Sequence, residues 1–205
     1  MNRYRREGLF RAVQAVVFAV LLLLGCLAGS ESSAEEPPAN AAHFDGLDAV
    51  SLAARMAEKA QSLRELPGAR FDLDDPERKS WDFWPSKYPG ARVDRVSSEA
   101  RGAIDEMLRL GLSETGARTI NLIQALEPYN PYRSPFYSLA VFGEPGGAWG
   151  WRYQGHHMSL NFTLDGEKVV SATPLFLGTQ PLSRPDIAGG AAPLADHESL
   201  ARGLY

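Results

Sequence analysis

Apolar positions recur at three- and four-residue steps in the first half of the chain and in steps of two after Tyr137. Leu47, Val50, Ala54, Ala57, Ala60 and Leu63 predict a helix over 47–66, stopped by Pro67-Gly68. Ala100, Ile104, Met107, Leu108 and Leu110 predict a second helix, capped by Ser97 or Ser98 and ended by Gly111. Ser113 caps a third, whose Ala117, Ile120, Ile123 and Leu126 face inward. Between the first two, Phe71 and Leu73 alternate with Asp72 and Asp74 as a short strand. An aromatic stretch broken by Pro and Gly follows, through Trp81, Phe83-Trp84-Pro85 and Tyr88-Pro89-Gly90. There Arg78 and Asp82 stand at helical spacing, as an ion pair would.

From Phe136 the period is that of strands. Tyr137, Leu139 and Val141 alternate with Ser138, Ala140 and Phe142, and Gly143-Glu144-Pro145-Gly146-Gly147 turns the chain. Trp149 to Gln154 returns, and His157 to Leu164 continues past a bend at Gly155. Asp165-Gly166 turns again before Lys168 to Ala172. Helices followed by a meander of this kind predict an α+β domain with N-terminal helices packed on an antiparallel sheet.

The stretch 149–162 concentrates the unusual residues. Read as one continuous strand, Trp149, Trp151, Tyr153, His157, Ser159 and Asn161 share one face. Arg152, Gln154, His156, Met158, Leu160 and Phe162 share the other. Neighbouring His156 and His157 then point to opposite sides and do not chelate one ion together, unless a bulge at Gly155 brings them to one side. An imidazole, a guanidinium, an amide and two indoles on so few positions exceed what a sheet needs, and suit a binding surface. The plain alternative is a buried His156 bonded to backbone and an exposed His157. His156, His157, Arg152 and Glu127 are the candidate catalytic groups, and Trp149, Trp151, Tyr153 and Asn161 the candidate ligand contacts. His156 and His157 are also the candidate ligands of a divalent metal, completed by Glu127, Asp72 or His43. No His-Glu-x-x-His motif or cysteine pair is present. Glu127 closes the third helix just before Pro128, where the helix dipole opposes a carboxylate. Solvent exposure resolves that conflict, and so does a metal or a positive partner.

Composition narrows the function classes. The net charge is -4, and Arg3, Arg5, Arg6 and Arg11 crowd the N-terminus, so the remainder is more acidic still. Nucleic acid is therefore not an expected partner. Those arginines precede the apolar run Ala12 to Gly25, the layout of an export signal. Leu23-Leu24-Gly25-Cys26 resembles a lipoprotein box with Cys26 lipidated, while Ser32-Ser33-Ala34 offers ordinary cleavage after Ala34. Residues 1–34 are thus expected to be a signal, 35–43 a Pro- and Ala-rich tether, and 44–205 one domain. The expected location is periplasmic or at the cell surface, with the membrane engaged through the N-terminal segment or a lipid on Cys26. Cys26 is the only cysteine, so the domain holds no internal disulfide and uses no thiol.

The segment Trp149-Gly150-Trp151-Arg152-Tyr153-Gln154-Gly155-His156-His157-Met158-Ser159-Leu160-Asn161-Phe162, with Ala172 to Gly178 after it, resembles the bacterial and fungal domain-of-unknown-function family 3500. Arg78, Trp81, Pro85, Leu112-Ser113 and Leu126-Glu127 fit the same pattern, and the resemblance spans Phe44 to Tyr205. It implies a location for a site without implying a reaction. It also implies a longer chain, with Leu194 to Arg202 as the start of a further amphipathic helix. Three functions stay open: a metal-dependent hydrolase at the histidine pair, a binding module stacking a small molecule or glycan on Trp149, Trp151 and Tyr153, or a truncated product without activity.

Overall fold

The computed structural model describes residues 48–80, 82, 87–130, 136–186 and 192–204. The expected signal, the tether, Cys26, His43, Trp81 and Pro85 lie outside the described residues.

Three helices precede the main strands, and each begins where a side chain can satisfy a free N–H. Helix α1 is Ala49–Leu63, α2 is Ser98–Gly111 and α3 is Glu114–Leu126. Asp48 accepts from Ser51 N at 2.8 Å, Ser97 from Ala100 N at 3.2 Å, and Ser113 from Gly116 N at 3.1 Å. The stripes of α2 and α3 bury the expected Ile104, Met107, Leu108, Leu110, Ile120, Ile123 and Leu126. The stripe of α1 is rotated from expectation. It buries Leu52, Ala53, Met56, Ala60 and Leu63, and leaves Val50 and Ala54 exposed. Both sets keep helical spacing, but only the first carries the bulk of Leu52 and Met56 into the core.

Seven strands form one sheet: β1 Arg70–Phe71, β2 Ala91–Arg92, β3 Ser138–Gly143, β4 Ala148–Gly155, β5 Met158–Asp165, β6 Lys168–Ser171 and β7 Leu175–Leu177. The main order is β1-β3-β4-β5-β6, with β2 also on β3 and β7 also on β5. The class is α+β, and the sheet is mixed rather than purely antiparallel, because β1 runs parallel to β3. Parallel pairing needs a long crossover, and the two helices between β1 and β3 supply it. The turn expected at Asp165-Gly166 falls at Gly166-Glu167, between the paired ends Asp165 and Lys168. The helix expected from Leu194 forms as α4, Ala195–Arg202, and buries none of its residues.

The hairpin of β4 and β5 decides the two faces. Its closing pair is Gly155 with Met158, so His156-His157 is a two-residue turn and not strand. The expected alternation therefore holds along β4 but reverses phase on β5. Trp149, Trp151 and Tyr153 stand opposite Leu164, Phe162 and Leu160, and all six pack under the helices. Trp151 stacks on Phe162 with ring centroids 4.3 Å apart, and Gly111 at the end of α2 abuts those rings. The opposite face carries Phe142, Arg152, Gln154 and Asn161, covered in part by the segment around Glu77, Ser80 and Asp82. Arg78 donates to Thr163 Oγ1 at 3.0 Å, so its guanidinium is directed to β5 rather than to Asp82.

Close packing holds the end of the hairpin. Tyr137 stacks on Tyr153 with centroids 5.3 Å apart, and its ring lies against Gly155. A Cβ on Gly155 would sit 2.4 Å from Tyr137 Cδ1 and Cε1. The stacked ring has nowhere inexpensive to go. Gly155→Ala is expected to cost about 1–3 kcal/mol by overpacking, read as a lower urea midpoint at unchanged slope. A loss below about 0.5 kcal/mol would show that the contact yields freely.

Candidate metal centre

The two-residue turn places both histidine rings at one end of the sheet. Their centroids are 3.9 Å apart with planes inclined at 29°, a stacked pair that an extended strand cannot make. The expectation of opposite faces is corrected by this turn: Gly155 and Met158 belong to two strands, and the alternation stops between them. Gly178 N donates to His157 O at 2.8 Å, which ties the turn to the end of β7.

The third member arrives from α3. Its last turn tightens into a 3-10 turn over Glu127–Tyr129, with Pro128 inside it. That turn aims Glu127 at the histidines. His157 Nδ1 lies 2.5 Å from Glu127 Oε1, and His156 Nδ1 lies 3.5 Å from Glu127 Oε2. The side chains of Glu127, His156 and His157 are 1%, 5% and 12% exposed, so solvent does not account for the carboxylate. Solvent exposure, the simpler resolution of the dipole conflict, is thereby overturned. Glu127, His156 and His157 can each offer a donor atom within 4.8 Å of the other two.

Asn130 completes the cluster and was not singled out from the sequence. Its backbone N–H bonds to Glu127 O at 3.0 Å, which sets it one 3-10 turn after the carboxylate. Its Nδ2 is 2.9 Å from His156 Nδ1 and 3.5 Å from His157 Nδ1. An amide donor gives its hydrogen to Nδ1; with the carboxamide turned over, Nδ1–H donates to Oδ1. The available signal was the Glu-x-x-Asn spacing across a helix end.

Charge is the central difficulty of this cluster. A carboxylate out of water costs several kcal/mol unless paired and fully hydrogen-bonded, and the C-terminus of α3 adds its own negative end. One oxygen receives His157 Nδ1–H. The other, Oε2, has no hydrogen-bond partner among the described residues. His156 does not supply a full positive charge. Burial, and then the neighbouring His157, hold its pKa below the usual imidazole range, while Glu127 pulls more weakly the other way. Tyr137 is buried close by, its Oη without a hydrogen-bond partner among the described residues. Burial first, and Glu127 second, raise its pKa, so it stays a phenol.

The remaining candidates are not gathered here. Arg152 is 1% exposed on the covered face of the sheet. It donates to Glu77 O at 2.8 Å, to Ser80 O, and to Glu77 Oε1 at 2.5 Å. Trp149, Trp151 and Tyr153 are core residues beneath the helices, and Tyr153 Oη accepts from Gln124 Nε2 at 2.6 Å. Their ring faces pack against protein. Asn161 Nδ2 donates to Pro174 O at 2.7 Å and to Ser159 Oγ at 3.0 Å. Asp72, offered as a further ligand, is exposed and outside the cluster.

The molecule is thus an α+β domain with a buried His-His-Glu cluster at a hairpin turn. Residues 46–205 match the family model described as Protein of unknown function (DUF3500), and the chain belongs to that family. No curated protein and no solved structure matches the chain.

Proposed function

We propose that Glu127, His156 and His157 bind one divalent transition-metal ion, and that the protein is a metal-dependent hydrolase. The observation that carries this is Glu127 Oε2, a buried carboxylate oxygen without a hydrogen bond among the described residues, facing an imidazole nitrogen 3.5 Å away. Two donors on a tetrahedral ion with bonds of about 2.0–2.1 Å stand about 3.3 Å apart, so this gap suits an ion between them. Two imidazoles and a carboxylate are a donor set used by catalytic zinc sites, with a fourth position left for water. A cation here also answers the buried negative charge and the dipole of α3. Asn130 Nδ2, 2.9 Å from His156 Nδ1, would release that nitrogen to the ion on binding. A bound ion of this kind brings water to a pKa near ~7 and polarises a substrate oxygen.

Export is part of the same proposal. It rests on the arginines and the apolar run of residues 3–25, ahead of the described residues. No helix among the described residues is long and apolar enough to cross a membrane.

A second reading is favoured by the 2.5 Å approach of His157 Nδ1 to Glu127 Oε1. In it the carboxylate orients His157 as a general base and no metal is needed. Elemental analysis separates the two. Protein dialysed against zinc and then against buffer should retain about one equivalent. His156→Ala and Glu127→Gln should each lower the affinity at least ~10–100-fold. Absence of stoichiometric metal from the wild type, or full retention by both variants, would leave the base dyad as the surviving reading.

A further inference from the structure

The covered face of the sheet holds a second feature, independent of the histidine cluster. A cleft of about 340 Å³ lies there, bordered by Arg78, Lys79 and Ser80 on one side and by Thr173 and Pro174 on the other. Its floor includes Phe142, Asn161 and Thr163. Asn161 to Thr163 lie three to five residues beyond Met158, so the cleft is about 10–17 Å along β5 from the hairpin turn. Among the described residues, two cations border it and no acidic residue does.

Arg78 is what sets this cleft apart. Among the described residues, the arginines that are not exposed are Arg64, Arg78, Arg92, Arg152 and Arg184. Arg64 pairs with Glu144, Arg92 with Asp94, Arg152 with Glu77 and Arg184 with Asp186. Arg78 pairs with no carboxylate among the described residues. Among the described residues it uses a single N–H, on Thr163 Oγ1, and a guanidinium has five. A half-buried cation with spare donors, next to an exposed lysine and three hydroxyls, is short of an anion. The cleft is of the size that small ligands occupy. Guanidinium donors match carboxylate and phosphate oxygens in pairs, and Ser80, Thr173 and Asn161 can meet hydroxyl groups beside them.

We propose that this cleft binds a small hydroxylated organic anion, its carboxylate or phosphate held by Arg78 and Lys79. Calorimetric titration of the full chain at low salt with glucuronate, glucose 6-phosphate and glucose tests it. At least one of the two anions should bind, with glucose bound at least tenfold more weakly, and added salt should weaken the anion. Arg78→Gln should reduce anion affinity about tenfold or more, and Lys79→Gln, at an exposed position, by a smaller factor. His156→Ala should leave it unchanged, so that this proposal and the metal centre fail separately. Three results would overturn it: neither anion binding, glucose binding as tightly as the anions, or both cleft variants binding like the wild type.

Discussion

Replacing Arg152 with Met should destabilise the protein by about 3 kcal/mol, near the lower end for breaking a buried charge pair. Arg152 is the link between the sheet and the segment that covers it. One guanidinium serves two backbone carbonyls, of Glu77 and Ser80, and the Glu77 carboxylate. Methionine fills a similar volume and returns none of these bonds. The Ser80 carbonyl and a partly covered carboxylate then lose their guanidinium donor, and Glu77 O keeps only Ser80 N–H, while Phe142, whose ring lies 5.6 Å from the guanidinium, keeps its packing. The lower end of the range is chosen because Glu77 is 24% exposed and water can reach it. For a domain of this size the loss is a fall of about 6–12 °C in melting temperature. Glu77→Gln keeps an acceptor for the guanidinium and should cost about 1 kcal/mol. The metal content per folded molecule should not change in either variant, because the guanidinium bonds Glu77 and Ser80 and is no part of the histidine cluster. A change of less than about 0.5 kcal/mol in Arg152→Met would contradict the pinning role. Loss of metal at unchanged stability would instead return Arg152 to the site.

Local chemistry explains which parts of this outcome were legible. Ser97, Ser113 and the inward residues of α2 and α3 are set by capping and by a 3.6-residue period, and both rules act within a few residues. The concentration of histidine and tryptophan in 149–157 also marked the stretch that carries the His156-His157 turn. It did not separate the roles, because those depend on partners elsewhere in the chain. Arg152 looks like a reactive group until Glu77 and Ser80 come across from the other side of the sheet. Trp149 and Trp151 look like a stacking platform until the helices cover them. The histidine pair was misplaced for a single reason. A two-residue hairpin turn usually announces itself with Asn-Gly or Asp-Gly, and His-His carries no such signal. Reading through it as strand reversed every face assignment on β5. Glu127 was the opposite case. Electrostatics at a helix end flagged the conflict, but burial, which gives the conflict its meaning, is a property of the assembled core.

Zinc should raise the melting temperature of the wild type, and Glu127→Gln should reduce the rise by about a third or more. An ion that binds only the folded chain stabilises it by about 4 kcal/mol at a thousandfold excess over its dissociation constant, or about 8–16 °C here. In chelator the order should reverse. There the wild type holds a carboxylate whose Oε2 lacks a hydrogen bond among the described residues, at the negative end of α3. The carboxamide introduced by Glu127→Gln would keep an acceptor for His157 Nδ1–H without that charge. The variant should then be at least as stable as the wild type, whereas His157→Ala should be less stable in both conditions. The crossing is the informative feature. A carboxylate kept only for its hydrogen bond to His157 would make Glu127→Gln less stable with and without zinc, and by the same amount. Equal zinc shifts in wild type and variant would place the ion elsewhere. Only a carboxylate whose role is to hold a cation is a burden without the ion and the main source of stability with it.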